Sequence, residues 1–166
     1  MTDTTGFERS LDFSHGDDLG RLFRDAIRQM PFTAYMDVGV RNVSPGEAEI
    51  ELPEDERFTN HVGTVHAIAE LVPAETAGGA AIVSELSDLI EAGYVPIAKA
   101  LRVSWTAPAR GTLTARARLL DEQAGSMRAA AERGEQVACT LPITVTDPDG
   151  TTVAEVEVDY VLKDLG

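Results

Sequence analysis

The feature that most constrains the fold is a long helical pattern in the middle of the chain, from about Val65 to Ile90. Between Ala77 and Ala81 this segment contains only glycine and alanine, so nearly a turn and a half of helix carries almost no side chains. Residues this small let a helix backbone approach a neighbouring layer closely. We therefore predict a central helix, about residues 65–90, that packs tightly against a β-sheet.

The sequence before this segment predicts one helix and one hairpin. Apolar residues recur with helical spacing over residues 17–30, which predicts an amphipathic N-terminal helix that stops at Pro31. Residues 36–52 alternate polar and apolar side chains around a Ser44-Pro45-Gly46 turn, a pattern typical of two short antiparallel strands.

The sequence after the central helix has mainly strand character. Four strand patterns occupy residues 97–109, 112–120, 136–146 and 152–162. An alanine-rich segment that ends at Gly134 separates the second pattern from the third and predicts a short surface helix. The order of elements predicts an α+β protein with six antiparallel strands. Because one long helix cannot cover both faces of such a sheet, we expect a homodimer.

Length and composition narrow the classes of protein further. The 166 residues suit a single domain with a core of its own. The formal net charge of −14 disfavours nucleic acid as a partner. No apolar run approaches the ~20 residues of a membrane-spanning helix, and residues 1–13 lack the features of a secretory signal, so we expect a cytoplasmic protein without a membrane partner. The lone Cys139 and the three histidines, which include no close pair, argue against a metal site.

One charged residue of the central segment falls on its apolar side. On a helical projection, Glu75 lies between Ile68, Val72 and Gly79, whereas Glu70 falls near the solvent side. Burying an ionised carboxylate costs several kcal/mol unless it is paired or its pKa rises, and a catalytic base is one reason to accept that cost. Glu75 could instead form an ion pair with a buried arginine or lysine, or the stripe could be rotated so that the carboxylate reaches solvent.

A polar loop leads directly into this helix. It contains Asn60, His61, Gly63 and His66. The free amides of the first helical turn, predicted near His66 and Ala67, would favour developing negative charge, as an oxyanion hole requires. The arrangement suits chemistry at a carbonyl group.

Asn60, then Gly63-Thr64-Val65-His66, then an acid nine residues after that histidine (66 to 75) resemble the motif of hotdog-fold acyl-CoA thioesterases, most closely the phenylacetate-degradation type. The resemblance covers nearly the whole chain. It implies a hotdog fold, in which a long central helix is wrapped by a six-stranded antiparallel sheet, and a homodimer or a dimer of dimers. Two departures from the family are Ala67-Ile68, where the family often has Gly-Gly, and Pro73, which we expect to kink the helix.

The resemblance also implies roles for individual residues. Glu75 would act as general base on water or as nucleophile, and the Ala67 amide would polarise the thioester carbonyl. Asn60, from the other subunit, would orient the water or the carbonyl, and His66 would bind near the scissile bond. No cofactor is implied beyond the coenzyme A of the substrate. The substrate-binding set would comprise Gly63, Thr64, His61, Arg102 and Arg110, the arginines serving the phosphates of coenzyme A.

Two rival functions remain open at this stage. Hotdog dehydratases pair a loop histidine with a helix acid fourteen residues later, and His61 and Glu75 have that spacing (61 to 75). A hydratase or dehydratase acting on acyl thioesters is therefore an alternative. The second alternative is a hotdog protein that binds acyl thioesters without catalysis. It is favoured by the absence of the Gly-Gly pair and by the presence of Pro73 in the helix.

Overall fold

The computed structural model describes residues 19–165. Its helices are α1 (Leu19–Gln29), α2 (Pro31–Tyr35), α3 (Leu71–Glu85), α4 (Ser87–Glu91) and α5 (Asp121–Glu132), with a 3-10 turn at Glu56–Phe58. Its strands are β1 (Gly39–Ser44), β2 (Glu47–Leu52), β3 (Tyr94–Trp105), β4 (Leu113–Arg118), β5 (Val137–Thr146) and β6 (Thr152–Asp164).

The six strands form one sheet in the order β1-β2-β4-β5-β6-β3, and every neighbouring pair is antiparallel. The predicted α+β architecture with a six-stranded antiparallel sheet is confirmed. The predicted hairpin turn is also present, and its Gly46 adopts φ +73°, a conformation that favours glycine. Strands β1 and β3 lie at the two edges of the sheet.

Helix α3 packs against the sheet through its smallest residues. Ala74, Ala77 and Ala81 are fully buried. At Gly78 an added Cβ would come within 2.8 Å of Cε2 in the Tyr160 ring on β6, so only glycine fits between helix and strand. The predicted close packing of the small residues against a sheet is confirmed.

The central helix is shorter than the predicted 65–90. Val65 pairs with Thr59 in an isolated β-bridge, and the His66 amide donates to the Phe58 carbonyl at 2.7 Å, so the backbone here bonds to a neighbouring segment. At the other end, Leu86 (φ −104°, ψ +38°) leaves the helical conformation and separates α3 from α4. Both predicted boundaries are wrong, because apolar spacing continues through residues whose backbone is not helical.

The shorter helix changes the role of Pro73. Helix α3 begins at Leu71, so Pro73 is its third residue. Amides of the first helical turn have no partner inside the helix, and a proline there removes no hydrogen bond. The predicted kink is wrong for this reason.

The N-terminal helix is confirmed over Leu19–Gln29, while positions 17 and 18 of the prediction lie outside the described residues. Its buried face consists of Phe23, Ala26 and Ile27. The predicted stop before Pro31 is confirmed, because α1 ends at Gln29 and Met30 is extended. Pro31 then begins the separate short helix α2 as its first residue, where its missing amide is tolerated.

The predicted surface helix is present as α5, which buries only Ala124 and Met127. Across the described residues, none of these helices has the length and apolar character to cross a membrane.

Candidate active site

Glu75 lies in the first half of α3, on the side that faces α1 and the start of β3. Its side chain is exposed, and Ile68 of the predicted stripe is 60% exposed. The prediction that this stripe faces the core is therefore wrong at its N-terminal end. The rotated arrangement, in which the carboxylate reaches solvent, is the one observed. Among the described residues no ion pair holds the Glu75 carboxylate.

An apolar groove surrounds the Glu75 side chain. One wall comes from α1 and the residue that follows it, including Phe23, Ile27 and Met30, and the opposite wall comes from α3, including Gly79. Part of the side chain reaches solvent, but these walls shield the carboxyl group from some of the surrounding water and so raise its pKa above the usual 4.5. A carboxylate with a raised pKa is a stronger proton acceptor than an ordinary glutamate.

The backbone at Glu75 is fastened to the sheet. The buried Tyr160 hydroxyl of β6 donates a hydrogen bond of 2.6 Å to the Glu75 carbonyl oxygen. The same tyrosine ring packs on Gly78, one turn further along the helix. The position of the glutamate along the groove is thus fixed by contacts behind the helix.

Asn60 organises the loop before α3. Its Oδ1 accepts hydrogen bonds from the amides of Val62 (3.0 Å) and Thr64 (3.2 Å), and its Nδ2 donates to the Thr64 hydroxyl at 2.7 Å. This set of bonds closes a compact turn with Gly63 at φ +74°. Within the described subunit, the Asn60 side chain is therefore directed into its own loop.

Two further predicted substrate-binding residues belong to this loop. The Gly63 carbonyl accepts a hydrogen bond of 2.8 Å from Arg110, which ties the loop to the segment between β3 and β4. His61 is exposed beside it. The structure thus brings together Asn60, His61, Gly63, Thr64 and Arg110.

His66 and Ala67 follow in the turn before α3. The His66 amide is already bonded to Phe58, so the prediction that it is a free helix-end donor is wrong. His66 Nδ1 accepts from the Ile68 amide at 3.2 Å, and the Ala67 carbonyl accepts from Trp105 Nε1 at 3.3 Å. The Ala67 amide has no hydrogen-bond acceptor among the described residues, which leaves it free to donate to a ligand.

The predicted site is not one cluster within a subunit. His66 borders a separate depression with Tyr35 and Phe58, whereas Glu75 lines the groove beside α1. Val72, between them on the chain, borders the depression of His66. The two hollows are therefore neighbours along α3 but have different walls.

Arg102 lies away from both hollows, on the exposed face of the β3–β6 pair. It donates to Glu157 at 3.1 Å and to both carboxylate oxygens of Asp159 at 2.7 and 2.8 Å. These bonds raise the pKa of Arg102 and hold that of Asp159 far below its usual range. The charge of Arg102 is already compensated within the sheet.

Sequence reasoning missed Glu70. This residue precedes α3 and is only 3% exposed, and its Oε2 is buried without a hydrogen-bond partner in the described part of the chain. Burial raises its pKa to about 7. The prediction that Glu70 faces solvent is wrong because it extended a helical projection through a turn. The only signal in the sequence is a charge within a run of apolar residues.

Comparison with proteins of known structure identifies the fold. A Pseudomonas aeruginosa protein described as a "Probable Thioesterase" superimposes with a TM-score of 0.77 at 25% identity, covering 86% of this chain and 94% of that one. Zebrafish thioesterase superfamily member 2 superimposes with a TM-score of 0.65 at 19% identity, covering 87% and 96%, and this likeness shows the fold alone. The chain is a hotdog-fold protein of the thioesterase superfamily, and the resemblance inferred from the motif is confirmed.

Within that class, the chain belongs to the family described as "Domain of unknown function (DUF4442)", whose model matches residues 20–162. It is also similar to a Halobacterium salinarum protein named "Putative esterase", with 31% identity over 153 residues, which cover 90% of this chain and 91% of the relative.

Proposed function

We propose that this protein hydrolyses an acyl-CoA thioester to a free acid and coenzyme A. The observation that carries the proposal is the Glu75 carboxylate, which stands unpaired among the described residues in an apolar groove and has a raised pKa. The likeness to proteins described as thioesterase and esterase supports the same reaction class.

Glu75 acts as general base in this proposal. It takes a proton from a water molecule while the water oxygen forms a bond to the thioester carbon. The carbonyl electron pair moves onto the oxygen, to which the free Ala67 amide donates a hydrogen bond. The carbon–sulfur bond then breaks, and the proton held by Glu75 passes to the departing thiolate. In the other route, Glu75 attacks the thioester carbon directly, expels the thiolate and forms a mixed anhydride that water then hydrolyses. Mass spectrometry of enzyme quenched during turnover would detect that anhydride as an acyl adduct on Glu75.

A second copy of the chain completes the site in this proposal. The exposed apolar residues Ile97, Leu101 and Trp105 lie on β3, an edge strand of twelve residues whose second side pairs with no strand among the described residues. Such an edge is suited to pairing with another chain. Because Glu75 and the turn that contains Ala67 border different hollows within one subunit, the Asn60 side chain and the Ala67 amide in this proposal come from one subunit and Glu75 from the other. A dimer of dimers is an extension of this homodimer. Sedimentation measures the oligomeric state directly.

Arg110 is the better candidate for the coenzyme A phosphates. Its hydrogen bond goes to the neutral Gly63 carbonyl, so its positive charge remains available. Arg102 is opposed by two carboxylates, and binding a phosphate there would first have to break those ion pairs. We expect Arg110→Gln to raise KM for acyl-CoA more than Arg102→Gln does.

The decisive experiment compares thiol release from a panel of acyl- and aroyl-CoAs by the wild type, Glu75→Gln and Glu70→Gln. Both variants replace a carboxyl group by an amide of the same size, five positions apart on the chain. Loss of the base is expected to lower kcat for Glu75→Gln by about 10²–10⁴-fold, while Glu70→Gln keeps most of its turnover.

Three different outcomes would point elsewhere. Loss of turnover in Glu70→Gln alone would assign the catalytic carboxylate to Glu70. Hydration of an enoyl-CoA without thiol release would support the hydratase alternative. Tight binding of intact acyl-CoA without turnover by the wild type would support a binding protein.

A further inference from the structure

The groove beside Glu75 is elongated along α3. The helix lines it with Glu75, Thr76, Gly79, Ala80 and Val83. These residues recur every three to four positions, so they form one continuous stripe. From the first to the last the stripe rises about 12 Å, at 1.5 Å per residue. Glu75 stands at one end of the stripe and Val83 at the other.

Glu75 is the one polar group of the groove that remains available for chemistry. The Thr33 hydroxyl donates to the Ile27 carbonyl at 2.7 Å, and the Thr76 hydroxyl donates to the Val72 carbonyl at 2.8 Å. Both hydroxyl protons are therefore committed to the backbone. Every other lining side chain is apolar, so the groove disfavours a ligand with hydroxyl, amide or charged groups along its length.

The dimensions of the groove suit a short hydrocarbon chain. Its cavity volume is about 180 Å³, somewhat more than the about 150 Å³ of an apolar cavity that binds benzene. An extended chain advances about 1.2 Å per bond, so a 12 Å stripe matches about ten bonds. Benzene has six carbons, so this volume suits an acyl chain of about six carbons, and the length of the stripe allows a chain of up to about ten.

We propose that this groove is the acyl site and that it holds an unbranched, apolar acyl chain of about six to ten carbons, with the thioester carbon beside Glu75 and the tail along Gly79, Ala80 and Val83. Helix α1 forms the outer wall through Phe23 and Ile27, which gives the N-terminal helix a role in specificity. The inference rests on the proposed thioester hydrolysis and adds the class of acyl group to it.

Gly79 provides the test, because a Cβ built there meets no atom within 4 Å. The variant Gly79→Leu therefore introduces a side chain into the groove without a clash at its first atom, and it replaces a poor helix former by a good one. Gly125 in α5 is the matched control. It lies in a surface helix, and a Cβ there also meets nothing within 4 Å.

The experiment measures kcat/KM for thiol release from butyryl-, hexanoyl-, octanoyl-, decanoyl-, benzoyl- and phenylacetyl-CoA. For the wild type and Gly125→Leu we expect a rise from butyryl to an optimum between hexanoyl and decanoyl. For Gly79→Leu we expect the ratio of octanoyl to butyryl kcat/KM to fall by at least 10-fold relative to Gly125→Leu. Circular dichroism and thermal unfolding confirm that both variants fold.

The results separate this inference from the proposed function. No thiol release from any substrate by the wild type would refute both. Thiol release with an optimum on the aroyl substrates, or with equal octanoyl to butyryl ratios in the two leucine variants, would overturn the acyl assignment and leave thioester hydrolysis standing.

Discussion

Glu70→Gln is expected to stabilise the protein, by an amount that depends on pH. Glu70 is only 3% exposed, and its Oε2 is buried without a hydrogen-bond partner among the described residues. A buried, unpaired carboxyl group is disfavoured when it is ionised. The glutamine amide has the same shape and cannot ionise. The variant therefore avoids the free-energy cost of burying a charged carboxylate at every pH at which Glu70 of the wild type is ionised.

The magnitude follows from the pKa. Burial raises the pKa of Glu70 from the usual 4.5 to about 7 in the folded protein. Below pH 4.5 Glu70 is protonated in both the folded and the unfolded state, so its ionisation does not affect the free energy of unfolding. Between pH 4.5 and 7 only the unfolded chain releases the proton, so the folded state loses stability as pH rises. Above pH 7 the loss levels off at about 3 kcal/mol, taking about 1.4 kcal/mol per pKa unit.

The assay is urea unfolding of the wild type and Glu70→Gln at several values of pH. We expect their unfolding free energies to agree near pH 4.5 and the variant to be more stable by about 3 kcal/mol at pH 8, which is roughly 6–12 °C in Tm for a chain of this size. The exposed Glu54 supplies the control, since Glu54→Gln makes the same chemical change at the surface. A difference at pH 8 no larger than that of the control would refute the reasoning.

Two further measurements probe α3. The first is the pH dependence of kcat/KM in the Glu70→Gln variant, in which Glu75 is the one described carboxyl group near the start of α3 whose pKa is raised. As pH is lowered, kcat/KM should fall with an apparent pKa above 4.5, because protonating Glu75 removes the base. An apparent pKa at or below 4.5 would contradict this assignment. The second compares two alanine variants by thermal unfolding. Gly79→Ala should raise the unfolding free energy by about 0.5–1 kcal/mol through helix propensity, whereas Gly78→Ala should lower it by about 1–3 kcal/mol because its Cβ strikes the Tyr160 ring. Equal effects of the two substitutions would contradict this distinction.

The architecture could be predicted from the sequence because each element carries its own pattern. The alternation of residues 36–52 and of the four later segments defines strands, and the Gly-Ala run of α3 identifies the helix that packs on them. The spacing of Asn60, His66 and Glu75 along the chain matches a known motif, which allowed the three residues to be assigned to one predicted site. These features are local, and no long-range contact was needed to detect them.

The details of the site could not be predicted because they depend on contacts between segments distant in sequence or in space. The start of α3 is set by the bond between the His66 amide and the Phe58 carbonyl and by the Val65 bridge, neither of which leaves a trace in apolar periodicity. The predicted helix started at Val65, six residues before the observed start at Leu71. On that helical projection Glu70 pointed towards solvent and Glu75 towards the core. The structure reverses both assignments.

The two adjacent glycines of α3 differ in how freely they can change. Gly78 is locked between the helix and Tyr160, so almost any substitution there displaces the helix that carries the catalytic candidate. Gly79, one residue on, faces open space in the groove. Evolution can therefore adjust which acyl groups fit by substituting Gly79 while the framework behind it stays intact. Divergence in substrate range among related chains should concentrate on this outward position, and laboratory selection for new substrates should begin there.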